Sequence, residues 1–392
     1  MRRWLVGGCL VGILVVAAVL RMTGIDWDEY HHFHPDERYI TWVATTIERP
    51  SSLATAFSPH QSTFNPYYWP PKAASAGIQV PQDEARDFAY GHLPLYLGVA
   101  ATRLTERIGP GLAARLPDDW LLTQDVLNGS EQIEFRHLTA VSRFLTALFD
   151  IGTVLMIFLL GRRVYNAETG LLAAGLLAVN VMHIQLSHFF AFDPYMTFFV
   201  VTAVYFMVLA YQSAILLRSG GFGRNGFHSP AKASTRMVHV YLILAAICVG
   251  LAVGSKFAAV LLALPLALTV WLTVERRWMW LGTAVLIAAF TFFVTNPFAV
   301  LDLTCEVISP AMQIGPLSIP ALDWRSCFLD NILTQGAMVR GDTDLPFTRQ
   351  YIGTTPFLYF IEMQIKWGMG PLLGVAAFIG FGWAIRQTIM RL

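Results

Sequence analysis

Residues 238–274 read VHVYLILAAICVGLAVGSKFAAVLLALPLALTVWLTV. The stretch is almost wholly apolar, and Lys256 is the one Lys, Arg, Asp or Glu within it. A bilayer core is crossed by about 20 apolar residues in one helix, so a single helix of this length would overshoot a membrane. We therefore predict two membrane spans, 238–253 and 257–274, separated at Gly254-Ser255-Lys256.

The composition of the whole chain agrees with this prediction. Its 392 residues are 55% hydrophobic and 14% charged, and the mean hydropathy is +0.52. A soluble domain carries about 25% charged residues. A disordered chain and a nucleic-acid-binding protein are excluded by the same figures. With a net charge of +1, the chain has no strong overall electrostatic field that would attract an acidic partner.

Six further stretches are long and apolar enough, or nearly so, to cross a membrane, and they are 4–20, 138–160, 169–187, 195–217, 278–296 and 367–385. The first is longer than the apolar core of a secretory signal, which favours a retained anchor over a cleaved leader. Residues 92–108 are partly apolar but contain Arg103, Glu106 and Arg107, which indicates a helix lying along the membrane surface. We expect an all-α membrane protein of about eight transmembrane helices, forming one polytopic domain over 1–392.

Basic residues set the expected orientation. The pairs Arg162-Arg163 and Arg276-Arg277 fall at turns on one side, which is the cytoplasmic side by the positive-inside rule. Two long loops, 21–137 and 297–366, then lie outside, the first with juxtamembrane helices. Cys305 and Cys327 share the second loop, where an oxidising environment permits a disulfide, and a free pair is equally open.

The densest group of ionisable residues is 26–38, which follows the first span directly. It is either a solvated juxtamembrane segment or a functional site. Pro35 before Asp36-Glu37 suits the first turn of a helix, where carboxylates meet the positive end of the helix dipole. This position, and the mixture of acids, imidazoles and an arginine, favour a functional site at the outer membrane face.

Three further ionisable residues lie near predicted span ends. Asp193, in a short aromatic turn, is expected to bind a cation or a donor, or to cap the fourth span, or both. Lys256 either extends its ammonium to the interface or pairs with a lipid phosphate. Arg143 is a similar candidate, and it lies on the same face as the deeper Asp150, with which we expect it to pair through Thr146 or water.

A metal ion is a further possibility at this face. His183 and His188, with His31, His32 and His34, lack the spacing of a typical zinc site, so satisfied histidines are favoured. A hard divalent cation on Asp36, Glu37 and Asp193 is chemically more suitable, because such ions prefer oxygen ligands.

Several segments, taken together, resemble the membrane glycosyltransferases that use polyprenyl-phosphate sugars, the GT-C superfamily of protein O-mannosyltransferases and aminoarabinose transferases. The segments are HPDE (34–37), FAYGHLPLY (88–96), LGRRVY (160–165), GLLAA (170–174), SH…D (187–193), GLAVGSK (250–256) and NPFAVLD (296–302). Family members continue for several more spans, so this chain is expected to be a fragment that lacks part of the donor cavity.

The resemblance implies the roles of particular residues. Asp36 would be the catalytic base, Glu37 its partner, and Asp193 a second acid serving the acceptor or a metal. Lys256, Arg38 and Arg143 would bind the donor phosphate. The cavity for donor and acceptor would include His34, Tyr90, His92, Tyr96 and His188.

The implied reaction moves a sugar from a polyprenyl phosphate to a hydroxyl acceptor on a protein, lipid or glycan. Direct attack would invert the anomeric centre. We expect this reaction at the outer face of a bacterial plasma membrane, with membrane lipids and no nucleic acid as partners. A secondary transporter would instead place ionisable residues at the bilayer midplane within repeats, and a non-catalytic scaffold would tolerate loss of Asp36 or Asp193.

Overall fold

The structure is a computed structural model that describes residues 3–69, 85–120, 122–128, 135–219, 234–309, 312–314, 317–320, 322–340, 346, 348–355 and 357–390. The helices up to residue 218 are α1 (Arg3–Met22), α2 (Pro35–Thr45), α3 (Leu53–Ala56), α4 (His92–Ala113), α5 (Phe135–Val164), α6 (Ala167–Ala178), α7 (Val181–Ser187) and α8 (Asp193–Arg218), with a π-helical turn at Leu122–Leu127.

The later helices are α9 (Thr235–Ser255), α10 (Ala263–Thr273), α11 (Arg277–Thr295), α12 (Phe298–Leu301), α13 (Cys327–Arg340), α14 (Leu358–Met363) and α15 (Pro371–Ile389). Short 3-10 helices cover Phe257–Leu262 and Arg349–Tyr351, and a second π-helical turn covers Gln364–Gly368. Two antiparallel ribbons lie between α12 and α13. They pair β1 (Glu306–Ser309) with β4 (Leu322–Arg325), and β2 (Met312–Ile314) with β3 (Leu317–Ile319).

Five helices of the described chain are long and apolar enough to cross a membrane, namely α1, α5, α8, α9 and α11. They coincide with the predicted spans 4–20, 138–160, 195–217, 238–253 and 278–296 to within a few residues. The all-α membrane architecture expected from the sequence is therefore confirmed.

The predicted span 169–187 is broken into α6 and α7, which are bent by 58°. Asn180 causes the break, because its side chain accepts the His183 N–H and so begins a new helix. Counting this pair as one span gives six among the described residues. The predicted span 257–274 is a shorter apolar helix, and 367–385 corresponds to α15, which begins at Pro371. The expected count of eight is thus not confirmed.

Small residues bring the membrane helices together. Ala203 and Ala210 of α8 and Ala245 and Ala246 of α9 are fully buried in one cluster. Gly250 of α9 lies against α11, because a Cβ there would lie 2.6 Å from the Ala288 oxygen. Lipid tails are as apolar as the helix surfaces, so membrane helices associate mainly through van der Waals packing. Small residues improve this packing because they let the backbones approach closely.

A second core lies at the end of the bundle where α2 begins, which we call the Asp36 end. It joins α2, α4, the first turns of α5 and α8, and the chain after α11, through Ile40, Val43, Tyr67, Phe88, Leu95, Leu138, Phe190, Phe192, Tyr195 and Phe298. Aromatic side chains bury large areas, so this core holds segments together that are far apart in the sequence.

Cys305 and Cys327 are joined by a disulfide, while Cys9 and Cys248 are free. We expect two of the four thiols to react with an alkylating agent in denaturant without reductant, and all four after reduction, as read by intact mass. A closed loop of 22 residues predicts a loss of about 3 kcal/mol of stability when Cys305 and Cys327 are both changed to Ser. Labelling of four thiols without reductant would contradict the pairing.

Candidate active site

Helix α2 presents two adjacent carboxylates to opposite surroundings. His34 caps the helix through Nδ1, which accepts the Glu37 N–H at 3.3 Å, and Pro35 occupies its first turn. Consecutive residues of a helix point about 100° apart. Asp36 is consequently exposed, whereas Glu37 is fully buried.

Glu37 belongs to a buried ion network centred on Arg143. The Arg143 Nε donates to Glu37 Oε1 at 2.7 Å and Nη2 donates to Oε2 at 2.6 Å. The same guanidinium donates to both Asp28 carboxylate oxygens, at 2.9 and 3.0 Å, and to the Ile25 carbonyl oxygen at 2.8 Å. The side chains of Arg143, Asp28 and Glu37 have no exposed surface. This guanidinium is therefore engaged inside the protein, behind the surface that carries Asp36.

The network ties the Asp36 helix to the turn that carries Asp193. Glu37 Oε1 also accepts the Phe190 N–H at 2.7 Å, three residues before Asp193. Burial alone would raise the pKa of Asp28. The hydrogen bonds and charge of Arg143, with the Tyr30 and Phe33 amides, outweigh that effect and hold the pKa below its usual value.

Asp150 pairs with different residues from those expected. It accepts from Arg21 Nε at 2.5 Å and contacts His183 Nδ1 at 2.6 Å, instead of meeting Arg143. Arg21 also donates to the Ala178 carbonyl oxygen at 2.8 Å, at the break between α6 and α7. The expected Arg143–Asp150 pair is therefore corrected, because Arg143 is saturated by two nearer carboxylates.

Asp193 and Lys256 form an ion pair at the Asp36 end. Lys256 Nζ lies 2.8 Å from Asp193 Oδ1, and both side chains are partly exposed, at 41% and 37%. Asp193 begins α8 and Lys256 directly follows the last residue of α9, so the tight packing of those two helices brings the pair together. Both residues stay accessible to a charged ligand.

Tyr90 connects Asp36 with this ion pair. Burial raises the pKa of its hydroxyl, and the charge of Asp36, its hydrogen bond to Asp36 and the charge of Asp193 raise it further. The phenol hydroxyl therefore lies near both carboxylates, and its ring lies 5.6 Å from that of Phe192, the residue before Asp193. Asp36, Asp193, Lys256 and Tyr90 thus lie in one surface region.

The remaining expected residues are divided between this region and the core behind it. The His34 ring packs on Phe189 at 4.4 Å between centroids, and Arg38 is exposed one turn into α2. The ring nitrogens of His188 lie 2.7 and 2.9 Å from the carbonyl oxygens of Ile184 and Thr23, which ties α7 to the end of α1.

His92 and Tyr96 lie in the second core. His92 is fully buried, with Nε2 at 3.2 Å from the Tyr67 hydroxyl, and burial lowers the pKa of its imidazole to about 3. The Tyr96 hydroxyl donates to the Phe64 carbonyl oxygen at 2.7 Å. Both side chains therefore support the surface of the site from behind.

The described residues do not fit a resident divalent cation. No group of three or more His, Cys, Asp or Glu side chains among them is placed to hold a metal. Glu37 is bound to Arg143 and Asp193 to Lys256, which leaves Asp36 as a single carboxylate where a hard ion needs several oxygen ligands.

An apolar cavity of about 320 Å³ extends from this region between α9, α10 and α11. Val253 and Phe257, which flank Lys256 in the sequence, line it together with Phe292 and Phe328. Its lining residues are all apolar or glycine. A cavity with this chemistry suits a hydrocarbon chain.

Sequence and structure comparisons place the chain among known proteins. Residues 123–308 match the family described as dolichyl-phosphate-mannose-protein mannosyltransferase, and no curated protein matches the chain. The oligosaccharyltransferase of Archaeoglobus fulgidus, tethered with an acceptor peptide, is 17% identical over 100% of this chain and 39% of its own, with a TM-score of 0.47. The protein O-mannosyltransferase complex of S. cerevisiae bound to the sugar donor is 15% identical over 78% and 34%, with a TM-score of 0.43.

The chain thus spans 39% and 34% of the length of these two structures. The family match covers 123–308, which contain Arg143, Asp193 and Lys256. It confirms, over those residues, the resemblance to the dolichyl-phosphate-mannose-protein mannosyltransferase family that was seen in the sequence.

Proposed function

We propose that the chain transfers a sugar from a polyprenyl-phosphate donor to a hydroxyl acceptor at the extracytoplasmic face of the membrane. One observation carries this proposal. An exposed carboxylate, Asp36, lies in the same surface region as the Asp193–Lys256 pair, beside an apolar cavity between membrane helices. An amphiphilic phosphate and an acid–base catalyst would meet there.

Asp36 is the general base of this proposal. It is the exposed member of the acidic pair, and it lies near the Tyr90 hydroxyl. A base must lie within hydrogen-bond reach of the proton that it removes, and an exposed carboxylate allows an acceptor hydroxyl to approach. Glu37 holds Asp36 in place through Arg143 and the Phe190 amide, and so acts as a positioning residue.

The donor binds with its phosphate at Lys256 and its isoprenoid chain in the apolar cavity. The acceptor oxygen attacks the anomeric carbon, its proton passes to Asp36, and the bond from that carbon to the phosphate oxygen breaks. The polyprenyl phosphate leaves with the bonding electron pair. Lys256 stabilises the charge that develops on the phosphate, with the exposed Arg38 as a second cation. Direct displacement inverts the anomeric centre.

A transfer assay tests this function. The purified chain is reconstituted in liposomes with a radiolabelled polyprenyl-phosphate hexose or pentose and peptide, lipid or glycan acceptors. We expect label on an acceptor and an equal amount of free polyprenyl phosphate. Movement of unchanged donor across the bilayer would favour a transporter instead. Unchanged donor on its original side, with folded protein and every acceptor class, would contradict the proposal.

Replacement of Lys256 by Met should weaken donor binding. A hydrogen bond to a charged group contributes about 1.5–3 kcal/mol, so we expect KM for the donor to rise roughly 10- to 100-fold. Lys256→Arg should retain most of the affinity. Lys366→Met is the matched control, since Lys366 is an exposed lysine paired with Glu362 four residues earlier. Equal KM values for Lys256→Met and wild type would remove Lys256 from the donor site.

A further inference from the structure

The segment that carries Tyr90 is held at both ends by asparagine side chains from the chain after α11. The Phe88 N–H donates to Asn331 Oδ1 at 2.7 Å, and the His92 N–H donates to Asn296 Oδ1 at 2.6 Å. Both asparagines are buried, with 4% and 0% exposure. A buried backbone amide without a partner is costly, so the two bonds define where residues 88–92 lie.

The disulfide places Asn331 for this contact. Asn331 Nδ2 donates to the Cys327 carbonyl oxygen at 2.8 Å, within the first turns of α13. Cys327 is bonded to Cys305, and its N–H donates to the Asp302 carbonyl oxygen at 3.1 Å. The Asn331 side-chain oxygen that accepts the Phe88 N–H is therefore carried by a segment that the disulfide cross-links.

Residues 88–92 also press against the chain beside Lys256. A Cβ at Gly91 would lie 2.1 Å from the Gly254 carbonyl oxygen and 2.5 Å from that of Ser255. Only glycine allows this approach of two backbones. A displacement of the segment would therefore disturb the Tyr90–Asp36 contact and the backbone that precedes Lys256 together.

We propose that Asn331 and Asn296 are positioning residues of the transfer reaction. They hold residues 88–92 so that the Tyr90 hydroxyl meets Asp36. The proposal rests on the function assigned to Asp36 above. It differs from a general contribution to folding, because it requires that the effect of Asn331 on turnover pass through the Tyr90 hydroxyl.

A double-mutant cycle tests this requirement. We expect Asn331→Leu and Tyr90→Phe each to lower kcat roughly tenfold, with KM for the donor within about twofold of wild type, and the double variant to be no slower than the slower single variant. Gln335→Leu, at an exposed amide one turn further along α13, is the matched control and should leave kcat unchanged. Independent effects, with the double variant roughly 100-fold slower, would overturn the proposal.

Amide hydrogen exchange provides a readout that does not depend on activity. In Asn331→Leu, the peptide covering 85–92 should exchange faster than in wild type and Gln335→Leu, while peptides of α5 keep their rates. Unchanged exchange in 85–92 would overturn the proposal. If the wild-type chain transfers no sugar, the proposed function fails, whereas faster exchange would still show that Asn331 holds the segment. A global rise in exchange would mean that Asn331 is a folding residue, which also contradicts its positioning role.

Discussion

Asp36→Asn is expected to abolish sugar transfer, lowering kcat by about 10²–10⁴-fold, which is the contribution of a positioned general base. Asparagine has nearly the same shape as aspartate, but it cannot take a proton from the acceptor hydroxyl. The measurement is the initial rate of label transfer in liposomes at saturating donor and acceptor.

The controls separate loss of chemistry from loss of fold. Asp36 is exposed, so its substitution should leave the melting temperature within about 2 °C of wild type, in line with small effects at surface positions. Asp87→Asn changes another exposed carboxylate of the same region, at a residue whose backbone oxygen accepts the Tyr39 hydroxyl. Normal transfer by Asp87→Asn and none by Asp36→Asn would assign the base, and equal rates for Asp36→Asn and wild type would refute it.

The helices were predictable because apolar length alone decides which segments can cross a bilayer. The run 238–274 was correctly divided at Lys256, and α9 ends one residue before it. The break at Asn180 was not predicted. The run around it, 169–187, is mostly apolar, and whether an asparagine caps a new helix depends on the local backbone as well as on composition.

The sequence grouped Asp36, Asp193, Lys256 and Tyr90 because alternation of spans placed all four at one membrane face. The resemblance assigned the base to Asp36 and the partner role to Glu37, whereas the residues alone did not distinguish the two carboxylates. The helix position of Pro35 predicts that the two carboxylates point in different directions, but it does not say which one faces the core. Packing of α2 against α5 makes that choice.

Partners of buried charges were the least predictable feature. Arg143 and Asp150 are seven residues apart on α5, and helical spacing suggested that they interact. Arg143 instead binds Asp28 and Glu37, and Asp150 binds Arg21 and His183. A buried charge takes whichever partners tertiary packing brings nearest, although Arg21 in the last turn of an apolar span was a signal, since charges within spans are seldom unpaired.

Arg143→Met is expected to destabilise the fold by about 3–5 kcal/mol, the cost of leaving buried charges without their partner. Both Asp28 and Glu37 lose their cation, and the bridge between α2 and α5 is lost with it. Thermal unfolding in lipid nanodiscs, followed by circular dichroism, measures the change. Transfer activity should fall as well, because Glu37 no longer holds Asp36.

The pH dependence of this destabilisation identifies its electrostatic cause. In wild type the pKa of Asp28 is held below its ordinary value, so its contribution to stability is present above that ordinary pKa and is lost as pH falls through the folded-state pKa. Without Arg143, burial favours the protonated form of Asp28, so acidification should narrow the gap in melting temperature between the two proteins. Arg136→Met removes an exposed arginine 3.1 Å from Asp125 and should cost no more than about 1 kcal/mol. A gap that is constant from pH 7 to pH 4 would mean that Arg143 stabilises the fold by packing alone.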